Sequence, residues 1–139
     1  MPLYNSFKGA TMKADIDLET DSIKVALFTS SYTPNIDTQD FFNDLTGEVA
    51  AGGGYTSGGQ ALANKTVTTD NTDDEGVFDA DDVAWTSSTI TARYAVIYKD
   101  TGVASTSALA GYIDFGSDQS SVNATFTIAW AAEGIVNLS

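Results

Sequence analysis

The sequence predicts a mainly β fold: a single-domain antiparallel β-sandwich or barrel-like structure with one short helix and an N-terminal arm. Three observations lead there. Apolar side chains recur with a period of two in several segments, the mark of strands with one buried face. The composition is rich in Thr, Ser, Val, Ala and Gly and holds only two prolines, a balance that favours strands and turns. A chain of 139 residues suits one domain with one core, and no internal repeat or linker divides it.

Residues 1–13 carry Leu3, Tyr4, Phe7 and Met12 without a clear period and are expected to form an arm, with residues 14–139 as the β-rich domain. Ala14, Ile16 and Leu18 alternate with Asp15, Asp17 and Glu19, which predicts a half-buried strand. After a turn at Thr20-Asp21-Ser22, the more apolar run Ile23 to Thr29 predicts a second, central strand, so the pair is expected as a hairpin. Phe41, Phe42, Leu45 and Val49 fall at helical spacing behind Asp37 and Thr38, which can cap, and the single short helix is expected there. The segment 52–60, GGGYTSGGQ, is a glycine-rich loop that Tyr55 can anchor. Ala61 to Thr69 predicts a strand with Leu62 and Val67 inward, and their opposite parity predicts a bulge between them. Three further strands are expected at Thr89 to Tyr98, Ala108 to Phe115 and Val122 to Trp130, joined as a meander, with Ile135 to Leu138 as a closing edge strand.

The charge narrows the function. Nineteen acidic and six basic residues give a net charge of −13, which repels phosphate backbones and anionic lipid surfaces; neither nucleic acid nor membrane is expected as a partner. The chain has no cysteine and no histidine, so thiolate chemistry, zinc–sulfur sites and histidine general bases are excluded. Paired carboxylates, lysine chemistry and oxygen-ligated hard cations remain. The N-terminus MPLYNSFKGATMK lacks the apolar core of a signal peptide, and no stretch is long and apolar enough to span a bilayer.

Seven carboxylates crowd the thirteen residues from Asp70 to Asp82. Asp70, Asp73, Asp74 and Glu75 could supply oxygens to calcium, but Glu75 stands where the calcium-loop motif needs glycine and no Glu fills its last position. A solvated loop is the preferred reading, and no cofactor is expected. Asp79 and Asp81 share a face of an extended segment, yet glycosidase carboxylates must flank a bond across a cleft, which near neighbours in sequence rarely do. Trp85, Tyr94, Tyr98, Tyr112 and Trp130 suit a β core better than a sugar-stacking platform. Arg93, among Thr91, Ala95 and Ile97, is expected as a paired surface or interface arginine. The glycosylation sequons at Asn64 and Asn123 carry little meaning without a signal peptide, and no phosphate-loop, nucleophile-elbow or dinucleotide pattern occurs.

The stretches ETDSIKVALFTSSYTPNIDTQDFFND, residues 19–44, and FDADDVAWTSSTITARYAVIYKDTG, residues 78–102, resemble small structural proteins encoded in the virion-gene regions of tailed bacteriophages. The resemblance runs through most of the chain and carries no catalytic motif. It implies a non-enzymatic virion component, made in the host cytoplasm and assembled onto the particle. The expected role is capsid decoration or cement in many copies, with the major capsid protein or other virion subunits as partners and a homo-oligomer, such as a trimer, as the packing unit. The alternative is a tail- or fibre-associated adaptor or glycan-binding module, in which Tyr55 and Trp85 beside the glycine-rich loop would meet the sugar. On either reading the arm would bind a neighbour, and its removal would spare the fold.

Overall fold

A computed structural model describes all residues 1–139. Its elements in chain order are a helix α1 (Asn5–Met12) and the strands β1 (Ile23–Phe28), β2 (Gln60–Ala61), β3 (Thr66–Asp70), β4 (Glu75–Asp79), β5 (Val83–Lys99), β6 (Leu109–Ile128) and β7 (Val136–Leu138). They form two antiparallel sheets, one in the order β2-β1-β5-β6 and the other β3-β4-β7. The fold is the mainly β, sandwich-like one that the alternating pattern predicts.

The first sheet is buried on both faces around β1, which explains why β1 reads as a nearly unbroken apolar run. Ile23, Val25 and Leu27 point into the principal core with Ala95, Ile97, Trp85 and Phe126. Ala26 and Phe28 point the other way, into a second cluster with Tyr4, Tyr32, Val96, Tyr98 and Leu109. Residues 29–45 cover this second cluster; Phe42 lies 4.4 Å from the Tyr98 ring and 6.1 Å from that of Phe28, centroid to centroid.

Residues 1–13 are not an arm, and this corrects the expected division of the chain. They cross the β6 edge of the first sheet, with Tyr4 N–H donating to Ala110 O at 3.1 Å and Tyr112 N–H donating to Pro2 O at 3.1 Å. Tyr4 and Phe7 are both fully buried, Tyr4 in the second cluster and Phe7 in the principal core. The crossing is close: a Cβ at Gly111 would stand 2.8 Å from Pro2 O and 3.1 Å from Leu3 Cδ2, so only glycine leaves room. Tyr4 Oη then meets Tyr32 Oη at 2.5 Å, and Tyr32 donates to Gln39 Oε1 at 2.8 Å, a chain of hydrogen bonds that ties the N-terminus to the covering loop. Burial raises the Tyr4 phenol well above its ordinary range, and burial pushes Tyr32 up to about 12. Both therefore stay neutral donors.

The one α-helix is α1, not residues 37–49. At the expected place the chain makes only a 3₁₀ turn, Phe42–Asp44. The Asp44 carboxylate accepts from the N–H groups of Asp40 and Phe41, both at 2.9 Å, and caps this single turn. Gly47, at φ +88°, ends any continuation.

Residues 14–19 are not a strand either. Asp17 Oδ1 accepts from Glu19 N–H and Thr20 N–H, Asp17 N–H donates to Asp21 Oδ2, and the segment closes into a turn that pins Ile16 and Leu18 against the core. The expected strand Ala61–Thr69 is two strands in different sheets. β2 pairs with β1, the chain then turns through Asn64 at φ +52°, and β3 starts the second sheet. Leu62 is buried as expected, but Val67 is 49% exposed.

The last three expected strands are two very long ones. β5 and β6 form a single ribbon in which the register slips near Ser87, Thr89 and Arg93 and again between Ile97 and Tyr98. Between the pairs Ala92↔Gln119 and Tyr94↔Asp114, β6 carries extra residues around Gly116, at φ +83°. These bulges bend the ribbon so that its far half folds Trp85, Phe126 and Ile128 over the core. They also turn Val122, expected inward, out to 72% exposure.

Candidate functional site

The acidic stretch is a hairpin. β3 and β4 pair without a bulge from Thr66↔Asp79 to Asp70↔Glu75, and residues 71–74 form the turn. Asp70 Oδ1 accepts from Thr72 N–H at 2.7 Å and from Asp73 N–H at 3.3 Å, and Asp74 takes φ +58°. Glu75 Oε1 accepts from Asn137 Nδ2 at 2.5 Å and so links β4 to β7. Asp70, Asp73, Asp74 and Glu75 are thus spread along an exposed turn, and no group of three acidic side chains converges on a cation position.

The second half of the stretch fastens the fold. Asp81 Oδ2 accepts from Asn64 Nδ2 at 2.6 Å, and Asp82 Oδ1 accepts from Trp130 N–H at 2.9 Å. The Trp130 indole N–H donates to Asp81 O, also at 2.9 Å. Asp79 sits on β4 with Oδ1 buried and without a hydrogen-bond partner.

Tyr55 and Trp85 are 3% and 2% exposed, with ring centroids 6.1 Å apart, and neither can stack on a sugar. Tyr55 is a cross-link instead: its hydroxyl accepts from Leu27 N–H at 3.0 Å and donates to Glu48 Oε1 at 2.8 Å, and Gly58 N–H donates to the same Glu48 oxygen. Burial raises its phenol far above the ordinary range. The glycine-rich loop is held flat on the sheet by these bonds and by the closeness of Gly59, where a Cβ would collide with the carbonyl oxygen of Val25. Arg93 is a paired surface arginine. Its Nε and a terminal nitrogen donate to the two oxygens of Asp114 at 2.6 and 3.2 Å, and its guanidinium lies 5.4 Å from the Tyr94 ring centroid.

One concave surface was not read from the sequence. A groove of about 410 Å³ runs between the turn at residues 14–19 and the second sheet, lined by Ile16, Leu18, Val67, Phe78, Val136 and Leu138. Sheet register explains its apolar floor. Val67, Phe78 and Val136 stand in one cross-strand row, and Gly76 and Leu138 in the next row on the same face. Val67 and Leu138, 49% and 40% exposed, are left at its mouth. The signal was present in Thr66-Val-Thr-Thr-Asp70, a strand without lysine, proline or glycine to protect an edge.

No helix is long and apolar enough to cross a membrane. No family model, curated protein or solved structure matches the chain.

Proposed function

We propose that the chain is a non-enzymatic structural protein of a tailed-phage particle, packed on the shell in many copies as a decoration or cement protein. The resemblance of residues 19–44 and 78–102 to small virion proteins motivates this reading. The observation that carries it is where the chemistry-bearing side chains go. Tyr55 and Trp85 are in the core, Asp81 and Asp82 fasten loops, Arg93 is paired, and Asp70 closes a turn. The surface retains what an assembling subunit needs: an open strand edge, exposed apolar side chains at a groove, and enough negative charge to stay soluble before assembly.

The test is the composition and map of purified particles of the phage that encodes the chain. Many copies on the outside of the head are expected. Density confined to the tail tip would replace decoration with a tail adaptor, and absence from the particle would end the structural reading.

A further inference from the structure

β3 is the open edge of the second sheet. Its backbone groups bond only to β4, since no other main-chain hydrogen bond reaches residues 66–70. The other edges are short or altered: β2 has two residues and β7 three, the start of β6 is crossed by residues 2–4, and its remainder is bulged. β3 alone offers five residues in unbroken register.

The two faces beside that edge differ. On one face the row Val67/Phe78/Val136 and, in the next row, Gly76 and Leu138 are apolar or small and floor the groove. On the other, Asp79 stands at one end, opposite Thr66, and the Asp70/Glu75 pair at the other. Asp17 and Glu19 add negative charge at the groove rim, and Lys65, the residue before β3, donates to Asp21 O.

We propose that the β3 edge and its groove dock an extended segment of another protein in which apolar residues alternate with lysine or arginine. Such a segment adds as a strand: its main chain bonds the outward N–H and C=O groups of β3, its apolar side chains cover Val67, and its basic side chains meet Asp70, Glu75 and Asp79. A second copy of the chain fits poorly. It too carries −13, and of its six cations only Lys13 lacks a hydrogen-bonding or ion-pair partner. The inference goes beyond the particle reading and does not rest on it.

The test uses the isolated full chain and a capped nonapeptide of alternating lysine and valine. Isotope-resolved amide exchange and titration should show slowed exchange confined to β3 and its neighbours. Binding should weaken by about tenfold or more in each of three changes: serine for the valines, glutamate for the lysines, or Val67→Lys in the protein. Val67 is half exposed, so the variant should melt close to wild type. A peptide N-methylated along the edge-facing side tests the backbone bonds without altering the protein and should not bind. Equal binding of the lysine–serine peptide would reduce the effect to bulk charge and overturn the proposal. So would unchanged exchange in β3, or self-association of the free chain that Val67→Lys abolishes.

Discussion

Replacing Phe7 by alanine separates an integral N-terminal segment from a free arm. Phe7 is the one buried side chain of α1, and it is fully buried in the principal core. Removing a ring from such a site costs about 3–5 kcal/mol, the transfer of the lost atoms plus the cavity they leave. A domain of this size is stable by roughly 5–15 kcal/mol, so the variant should lose a large fraction of that. The melting temperature should fall by about 10–20 °C, from the usual scaling of ΔΔG with the entropy of unfolding. Met12, on the same helix but 89% exposed, is the control: Met12→Ala should stay within about 0.5 kcal/mol. Gly111→Ala approaches the same contact from the sheet side and should also destabilise, because its methyl would press on Pro2 O and Leu3. Urea denaturation of the three variants is the assay. If Phe7→Ala and Met12→Ala are equally mild, residues 1–13 are an arm after all and Phe7 is not packed in the principal core.

Four further outcomes are expected. Tyr55→Phe should cost about 1–3 kcal/mol in urea denaturation, because it strands the buried Leu27 N–H and removes a donor to Glu48; an unchanged midpoint would contradict this. Acid unfolding should set in only below about pH 4. Lys24 holds Asp100 below its ordinary range, Arg93 does the same for Asp114, and for Asp21 the Asp17 N–H and Lys99 outweigh the upward push of burial. Carboxylates with lowered folded pKa values contribute stability above the ordinary value and lose it as pH falls through the lowered one, so Lys24→Gln should move the acid limb to higher pH. A midpoint already falling at pH 6 would refute that. Raising salt from about 0.05 to 0.5 M should raise the melting temperature by screening the −13 charge, whereas millimolar calcium or a chelator at constant ionic strength should shift it by less than about 1 °C; a larger calcium shift would restore a site at Asp70 to Glu75.

Strands were legible where burial followed a simple period. β1 and the Tyr94–Tyr98 part of β5 read as apolar runs because the sheet is covered on both faces at these two strands, and Phe126 and Ile128 keep the alternation expected of them. The pattern misled where turns borrowed it. Ile16 and Leu18 alternate with acids because a carboxylate-closed turn points both of them inward, and Phe42 and Leu45 match a helix because a loop lays them along the second cluster, while Phe41 at the same spacing stays exposed. α1 was invisible for the opposite reason. A helix that buries only Phe7 has no stripe, includes Gly9, and exists because the sheet edge receives it. The candidate residues followed the same logic. Of the aromatic residues expected in the core, Trp85 and Tyr98 are buried, whereas Tyr94, Tyr112 and Trp130 pack against it half-buried, and a cross-link such as Tyr55 to Leu27 and Glu48 joins positions whose contact no local spacing encodes. The groove needs residues 14–19 beside β7, a meeting that only the three-dimensional fold supplies.

Cryo-electron microscopy of purified particles of a phage proposed to encode the chain is the most direct test of the proposed decoration role. This chain is expected in many copies on the outer face of the head, with its first thirteen residues folded back on its own sheet rather than reaching a neighbour. Particles that lack the chain, or carry it in few copies away from the head, would contradict it.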